Sequence, residues 1–278
     1  MKNQPFYRLL SYLLICILIL SIVCIGSGIA LAIVKLSADD VPQESESNTD
    51  ESDDTPTAVT PPDSVMGETA DFGTAYIDKM IFFGESTTSH LVSRGVLSGG
   101  TDTAQVWSEA SGTRTLSSKI TSQIINTPER VKGLTIAQAC EQEKPAYIVL
   151  SFGLNGISEF IKNKSAYVDS YNLLISTIRK ASPQTRIILQ SIYPIAEDNT
   201  TFSVDALTVD RYILTLNTWL QEIAEANENV RYCDTASVLR NEFHALHPAY
   251  DSGDGIHLTK NAYEQILLYL RTHGWQES

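Results

Sequence analysis

The stretch that decides the fold lies at residues 81–86 and reads Ile-Phe-Phe-Gly-Glu-Ser. An apolar run that ends at a glycine predicts a buried strand of a parallel sheet. The residues after Ser86 favour a helix, so Ser86 stands at a strand-to-helix turn. In open α/β sheets, functional groups gather at the carboxyl ends of the strands. Ser86 is therefore a candidate functional residue, and the alternative is that its hydroxyl only caps the helix.

Further strand and helix patterns alternate from this point to the C-terminus. Predicted strands cover residues 80–83, 104–107, 146–151, 186–192 and 230–233. Predicted helices cover residues 116–125, 134–143, 165–180, 208–226 and 258–271. Strands separated by helices of this length indicate a parallel sheet covered on both faces, so the predicted fold class is α/β.

Residues 9–34 carry no charged side chain and are rich in Leu, Ile and Val. A bilayer crossing needs about 20 apolar residues, so this run predicts a transmembrane helix. Lys2 and Arg8 precede it, whereas an acidic stretch follows it. The positive-inside bias makes residues 1–8 a cytoplasmic tail and places the chain after residue 34 outside the cell membrane. The alternative is a signal peptide cleaved after Ala32, which would release a secreted protein.

Residues 35–72 are predicted to form a disordered linker. Positions 37–72 hold eleven Asp or Glu residues and no Lys or Arg. With so little apolar surface to bury, such a segment stays solvated and extended. The formal net charge of −13 divides into +3 up to residue 36, −11 in this stretch and −5 in the remainder. The acidity is thus mainly a property of the linker, and nothing basic suggests a nucleic-acid partner.

Residues 73–278 have the size of one domain with a substantial core. The two cysteines of this part, Cys140 and Cys233, fall in a predicted helix and a predicted strand. They form either an extracellular disulfide or two unpaired core thiols.

Three loops of this domain carry polar groups suited to acyl transfer. The first holds Ser86, and the second holds Asn155 between two glycines directly after an apolar strand. The third loop, at 251–259, places Asp254 three residues before His257. A carboxylate so placed can hold one ring nitrogen while the other nitrogen takes a proton from a hydroxyl. Each loop alone also suits a plain turn, so the interpretation depends on the three together.

Three motifs resemble, in this order, those of the SGNH/GDSL serine hydrolases: Gly-Glu-Ser at 84–86, Gly-Leu-Asn at 153–155 and Asp-Gly-Ile-His-Leu at 254–258. The resemblance covers residues 74–278, and the last motif is the most specific. It implies a three-layer α/β/α sandwich with a parallel central sheet, which agrees with the pattern of strands and helices. It also implies a hydrolase of carboxylic esters, for which we expect no cofactor and no metal.

The resemblance assigns roles to five residues. Ser86 is the nucleophile, His257 is its base, and Asp254 is the acid that orients His257. The oxyanion hole combines the backbone N–H groups of Ser86 and Gly112 with the side-chain amide of Asn155. Water then resolves the acyl-enzyme, with the same histidine acting as base.

Two positions depart from the family's pattern. Glu85 stands where the family usually has Asp, and we expect the longer carboxylate still to brace the turn. Gly156 stands where the third block usually ends in Asp, which removes a support from that loop. The second-block glycine is less well defined, because Gly99 and Gly100 precede the same predicted strand that Gly112 follows.

Two other kinds of function compete with the esterase. In a metal hydrolase, a cluster of five side chains would bind Zn²⁺: His244, His247, Asp251, Asp254 and His257. In a binding module for cell-wall glycan, Trp107, Phe152 and several tyrosines would line a cleft without turnover. The two remaining histidines, His90 and His273, are predicted to lie on helix surfaces.

The predicted location suggests the substrate. A catalytic domain on a 36-residue tether reaches the zone just outside the bilayer. Cell-wall polysaccharides that bear O-acetyl groups lie in that zone, and so do small esters. We therefore expect an O-acyl esterase acting on cell-surface carbohydrate or on ester-bearing small molecules, with an O-acyltransferase as the alternative use of the same residues.

Overall fold

A computed structural model of the chain describes residues 64–108 and 111–276. Its sheet is parallel and has the strand order β1-β2-β3-β4. The strands are β1 Met80–Gly84, β2 Tyr147–Ser151, β3 Arg186–Gln190 and β4 Val230–Cys233. The α/β class and the parallel sheet are therefore confirmed.

Seven α-helices lie within the described residues. They are α1 Thr74–Ile77, α2 Ser86–Arg94, α3 Ile136–Glu143, α4 Ile157–Phe160, α5 Lys164–Ala181, α6 Ala206–Glu225 and α7 Lys260–Thr272. Four of them are preceded by an N-cap residue whose side chain accepts a hydrogen bond from a backbone N–H of the first turn: Thr135, Asn163, Asp205 and Thr259. Such caps satisfy N–H groups that have no partner inside the helix.

Helices cover both faces of the sheet. Successive strand residues point to opposite faces, so neighbouring residues pack in different clusters. Phe83 and Leu150 belong to one buried cluster, together with residues of α3, α5 and α6. Phe82 and Val149 belong to the other cluster, together with residues of α2 and α7. Burying one such side chain stabilises the fold by roughly 1.5–3 kcal/mol. The strands are thus apolar on both faces, as the run at 81–83 indicates.

Two predicted elements are wrong. The strand expected at 104–107 is reduced to one parallel bridge between Phe82 and Val106. Two backbone hydrogen bonds with Phe82 join this segment to β1, and the side-chain amide of Gln105 donates to the carbonyls of Ile77 and Met80, but the pairing extends no further. The helix expected at 116–125 is a single 3₁₀ turn, Ile120–Ser122, in a segment whose serines and threonines compete with helical bonding.

The N-terminal border of the domain lies earlier than residue 73. Tyr232 in β4 donates to the Ser64 carbonyl and accepts a bond from the Met66 N–H. The Asp71 carboxylate pairs with Arg271 of α7, with 2.8 Å between Oδ1 and Nε. Residues 64–72, which the composition assigns to the linker, therefore pack on the domain, because edge strand β4 offers unpaired backbone groups to them.

The predicted cytoplasmic tail, the transmembrane helix at 9–34 and most of the linker lie outside the described residues. Within residues 64–108 and 111–276, no helix is long and apolar enough to cross a membrane.

Cys140 and Cys233 are unpaired and buried. Burial raises the pKa of the Cys140 thiol to about 12. These residues are core thiols, which was one of the two possibilities predicted.

Candidate active site

Ser86 is the first residue of α2 and is separated from the end of strand β1 by Glu85 alone. The N-cap position belongs to Glu85, so the alternative role of Ser86 as the cap is wrong. The backbone N–H of a first helical residue has no partner inside its own helix, and the helix dipole makes this end favourable for negative charge. Ser86 is partly exposed, whereas Glu85 and Thr87 on either side are buried.

The loop before α7 brings His257 and Asp254 to Ser86, across 171 residues of sequence. The distance from His257 Nε2 to Ser86 Oγ is 3.0 Å, and that from His257 Nδ1 to Asp254 Oδ2 is 2.6 Å. Asp254 Oδ1 accepts bonds from the backbone N–H groups of Ile256 and His257, at 3.0 and 2.7 Å. The three side chains therefore form one continuous hydrogen-bonded chain.

The Asp254 carboxylate is stabilised as an anion. Burial acts to raise its pKa, but hydrogen bonds from the His257 backbone and ring and from the Ile256 N–H lower it to about 2. Asp254 is therefore ionised over the whole neutral range. An ionised carboxylate on Nδ1 leaves Nε2 as the nitrogen that accepts a proton from a hydroxyl.

Gly112 lies directly against Ser86. A Cβ added to Gly112 would stand 2.5 Å from Ser86 Cβ and 2.7 Å from Ser86 Cα, and its φ is +63°. Both the close contact and the left-handed backbone need glycine. Gly99 and Gly100 have no such contact. Of the three glycines considered from the sequence, the structure places only Gly112 beside the serine.

We expect Gly112→Ala to lower kcat for p-nitrophenyl acetate by at least about tenfold, because the methyl group must displace the serine. A matched control is Gly133→Ala, which also has a positive φ of +79° but no atom within 4 Å of the added Cβ. Both variants carry the same kind of backbone strain, so only Gly112→Ala should lose activity beyond its loss of stability. Equal kcat values for the two variants would argue against the close contact.

Asn155 connects its own loop, after β2, to the segment of Gly112 and Arg114. Its side-chain Nδ2 donates to the carbonyls of Gly112 and Arg114, both at 3.1 Å. Arg114 is itself buried and donates to Gln123 and to the Ile124 carbonyl. Asn155 therefore lies at the site as predicted, with its amide holding the segment that carries Gly112.

Glu85 braces the turn through hydrogen bonds to the neighbouring loop, as expected of a carboxylate one methylene longer than Asp. It is fully buried and accepts hydrogen bonds from the backbone N–H groups of Gly153 and Asn155, the latter at 2.7 Å. Burial raises the pKa of Glu85 to about 8, although the N–H groups of Gly153, Asn155 and Leu154 act to lower it. This carboxyl group ties the end of β1 to the loop after β2.

Gly156, the second departure, has φ +91° and is the N-cap of α4. Its positive φ favours glycine, and the support that an acid would give at this position comes instead from Glu85.

Residues 82–265 match the model of the GDSL-like lipase/acylhydrolase family. The chain belongs to that family. Membership makes it an ester-hydrolysing serine hydrolase, and the expected enzyme class is confirmed. No curated protein shows significant sequence similarity to the chain.

Several solved structures resemble this GDSL-like domain. A lipase from a goat rumen metagenome has 16% identity and a TM-score of 0.48, and the match covers 71% of this chain and 98% of the lipase. The aryl esterase of M. smegmatis has 16% identity, a TM-score of 0.45 and coverages of 69% and 95%. A carbohydrate esterase family 3 protein of Talaromyces cellulolyticus has 15% identity, a TM-score of 0.43 and coverages of 69% and 93%.

One contact of this GDSL-like site, between His90 and His257, is not predicted from the sequence. His90, predicted to be a helix-surface residue, has its ring centroid 4.4 Å from that of His257. The sequence does hold one sign of this contact. His90 follows Ser86 by four positions, and residues i and i+4 of a helix share a face. His273, by contrast, stacks on Tyr269 at the end of α7.

The residues of the two competing functions are arranged differently. Within residues 64–108 and 111–276, no three His, Cys, Asp or Glu side chains converge as metal ligands. His247 and Asp251 instead accept hydrogen bonds from backbone N–H groups of their own turns. Trp107 and Phe152, the proposed lining of a glycan cleft, are 0% and 1% exposed and belong to the core.

Proposed function

We propose that this GDSL-like hydrolase is a membrane-anchored esterase in which Ser86 is the nucleophile, His257 its general base and Asp254 the orienting acid. One observation carries the assignment of roles: His257 bridges Ser86 Oγ at 3.0 Å and Asp254 Oδ2 at 2.6 Å. These distances are within hydrogen-bonding reach, which is the geometric requirement for a nucleophile and its base.

In the proposed reaction, His257 Nε2 takes the Ser86 proton as Oγ forms a bond to the ester carbonyl carbon. The tetrahedral intermediate collapses when His257 returns the proton to the departing alkoxide, which leaves an acyl-serine and a free alcohol. Water then attacks the acyl group, again with His257 as base, and releases the carboxylic acid. Asp254, ionised throughout, stabilises the imidazolium that forms in each step.

The proposed oxyanion hole consists of the Ser86 and Gly112 N–H groups and the Asn155 amide. The Asn155 amide already donates hydrogen bonds to the carbonyls of Gly112 and Arg114. A hydrogen bond to an anionic oxygen is about twice as strong as one to a neutral carbonyl, so the developing charge can recruit one of these donors. Asn155 thus has a resting role in holding the loop and a second role during turnover.

Asn155→Ala tests this double role. We expect kcat for p-nitrophenyl acetate to fall by about 10²- to 10³-fold, the usual cost of losing one oxyanion donor. Asn172→Ala is a control, because Asn172 lies on α5 and bonds to Asn227 rather than to the site. A kcat of Asn155→Ala within about twofold of the wild type would exclude Asn155 from the oxyanion hole.

The proposed substrate is an O-acetyl ester, on cell-surface carbohydrate or on a small molecule. Support comes from the predicted anchor at 9–34 and the acidic tether, which together would place the domain just outside the bilayer. Ser86 is partly exposed, as a serine that reacts with an external ester must be.

The proposed function is tested by measuring p-nitrophenyl acetate hydrolysis by the full-length chain in mild detergent, with and without EDTA. We expect activity that EDTA leaves unchanged and that His244→Ala and His247→Ala both retain. Release of acetate from O-acetylated glycan would then identify the polymer as a substrate. Loss of activity in EDTA would instead favour the metal hydrolase.

A further inference from the structure

The ring of His90 packs on the proposed general base and takes no part in the proton transfers described above. The two ring centroids are 4.4 Å apart, and the planes are inclined by 40°. His90 lies one turn after Ser86 on the same helix, α2. A single rigid element therefore carries both the proposed nucleophile and a ring that touches its base.

The His257 ring is held by hydrogen bonds at both nitrogens, to Asp254 and to Ser86, and part of this support is exposed. The Asp254 side chain that holds it is 53% exposed, and the His257 side chain is 27% exposed. Both residues lie in a loop whose Gly253 and Gly255 have φ values of +110° and +75°. An error of about 1 Å in the position of this ring relative to Ser86 can lower the rate by about 10²-fold, so contacts that fix its orientation matter.

One nitrogen atom of His90 makes no hydrogen bond within the described residues. Its Nδ1 is buried and has no hydrogen-bond partner among the described residues. A buried polar atom without a partner contributes no stabilising hydrogen bond, so His90 acts here through the packing of its ring rather than through this nitrogen. Burial lowers the pKa of His90, as do the nearby His257 and Arg94, whereas Asp254 acts to raise it. The ring is thus neutral at neutral pH and adds no charge beside His257.

We propose that His90 is a positioning residue, whose ring forms a wall that keeps the His257 imidazole directed at Ser86. This inference rests on the proposed function, since it assigns a partner to the same general base. It predicts that the shape of the side chain at position 90 matters, and that its nitrogen atoms do not.

Four variants of the full-length chain test the wall: His90→Ala, His90→Phe, His90→Leu and, as a control, His273→Ala. We expect His90→Ala to lower kcat for p-nitrophenyl acetate by about 10- to 100-fold with KM within about twofold. His90→Phe keeps a planar ring and should restore kcat to within about threefold of the wild type. His273→Ala removes a ring stacked on Tyr269 at the far end of α7 and should leave kcat unchanged.

His90→Leu fills the same space without a plane, and it replaces His90→Ala as the test if the alanine variant does not fold. Its kcat should fall between those of the alanine and phenylalanine variants. The proposal is overturned if His90→Ala, or His90→Leu in its place, keeps wild-type kcat, or if His90→Phe is as impaired as His90→Ala. Ser86→Ala, measured alongside, separates this failure from that of the proposed function: only activity in Ser86→Ala removes the serine mechanism itself.

Discussion

Ser86→Ala should abolish ester hydrolysis, with kcat lowered by a factor on the order of 10⁶, as for the loss of the nucleophile in other serine hydrolases. The reason is that no covalent acyl-enzyme forms without Oγ. The measurement is p-nitrophenyl acetate hydrolysis, with thermal unfolding as the check on folding. Ser93→Ala is a matched control, because Ser93 lies on the exposed side of the same helix, and it should keep full activity.

A double variant of Ser86 and His257 tests whether the two residues act together. His257→Ala should lower kcat by a similar factor, and the double variant should be no worse than either single variant, because the two residues act as one unit. Additive losses in the double variant would show that Ser86 and His257 act separately, in conflict with the 3.0 Å contact between them.

The second large effect concerns stability. Glu85→Ala should lower the free energy of unfolding by about 4 kcal/mol, because it leaves buried N–H groups of Gly153 and Asn155 without an acceptor and adds a cavity. Urea unfolding measures the change. Glu197→Ala is a control at an exposed carboxylate that accepts a hydrogen bond from the Asn241 side chain. A loss below about 1 kcal/mol for Glu85→Ala would mean that water replaces the carboxyl group.

The same residue gives a pH signature. Burial raises the pKa of Glu85 to about 8 from an ordinary value of 4.5. Between these values the native state holds a proton that the unfolded state releases, so the contribution of Glu85 to stability falls as pH rises from about 4.5 through 8. Glu85→Gln removes this titration. The unfolding free energy of Glu85→Gln, relative to that of the wild type, should increase as pH rises over this range. If the two proteins showed the same dependence of unfolding free energy on pH, the raised pKa would be contradicted.

The protonation state of Glu85 also bears on the proposed chemistry. A charged carboxylate under the Asn155 loop would oppose the negative charge that develops on the substrate oxygen. With a pKa of about 8, Glu85 is mostly uncharged at neutral pH. A carboxylic acid kept neutral by burial can therefore brace the loop without disturbing the oxyanion site.

Local sequence is sufficient to predict the parts of the site that depend on short spacings. The apolar run before Ser86 marks a buried strand end, and the three-residue spacing of Asp254 and His257 lets one side chain reach the other. The alternation of strands and helices indicates a parallel sheet, and because the carboxyl ends of parallel strands meet at one edge, the loops that follow them are expected to lie together.

Other features depend on contacts between distant segments. From the sequence, His90 is a solvated helix residue. Its contact with His257 exists only because the fold packs α2 against the loop of His257. The Asn155 amide bonds to carbonyls some forty positions earlier in the chain, which no spacing indicates. The segment at 104–107 also depends on distant contacts, since the Gln105 side chain donates to the carbonyls of Ile77 and Met80, before and at the start of β1.

The most direct measurement is labelling of the full-length chain with a fluorophosphonate, followed by mass spectrometry of the peptides. The proposed mechanism predicts one adduct, on Ser86, formed at least about 10²-fold more slowly in His257→Ala because the base no longer activates the hydroxyl. An adduct on another residue, or an equal labelling rate in His257→Ala, would contradict the assignment of Ser86 and His257 as nucleophile and base.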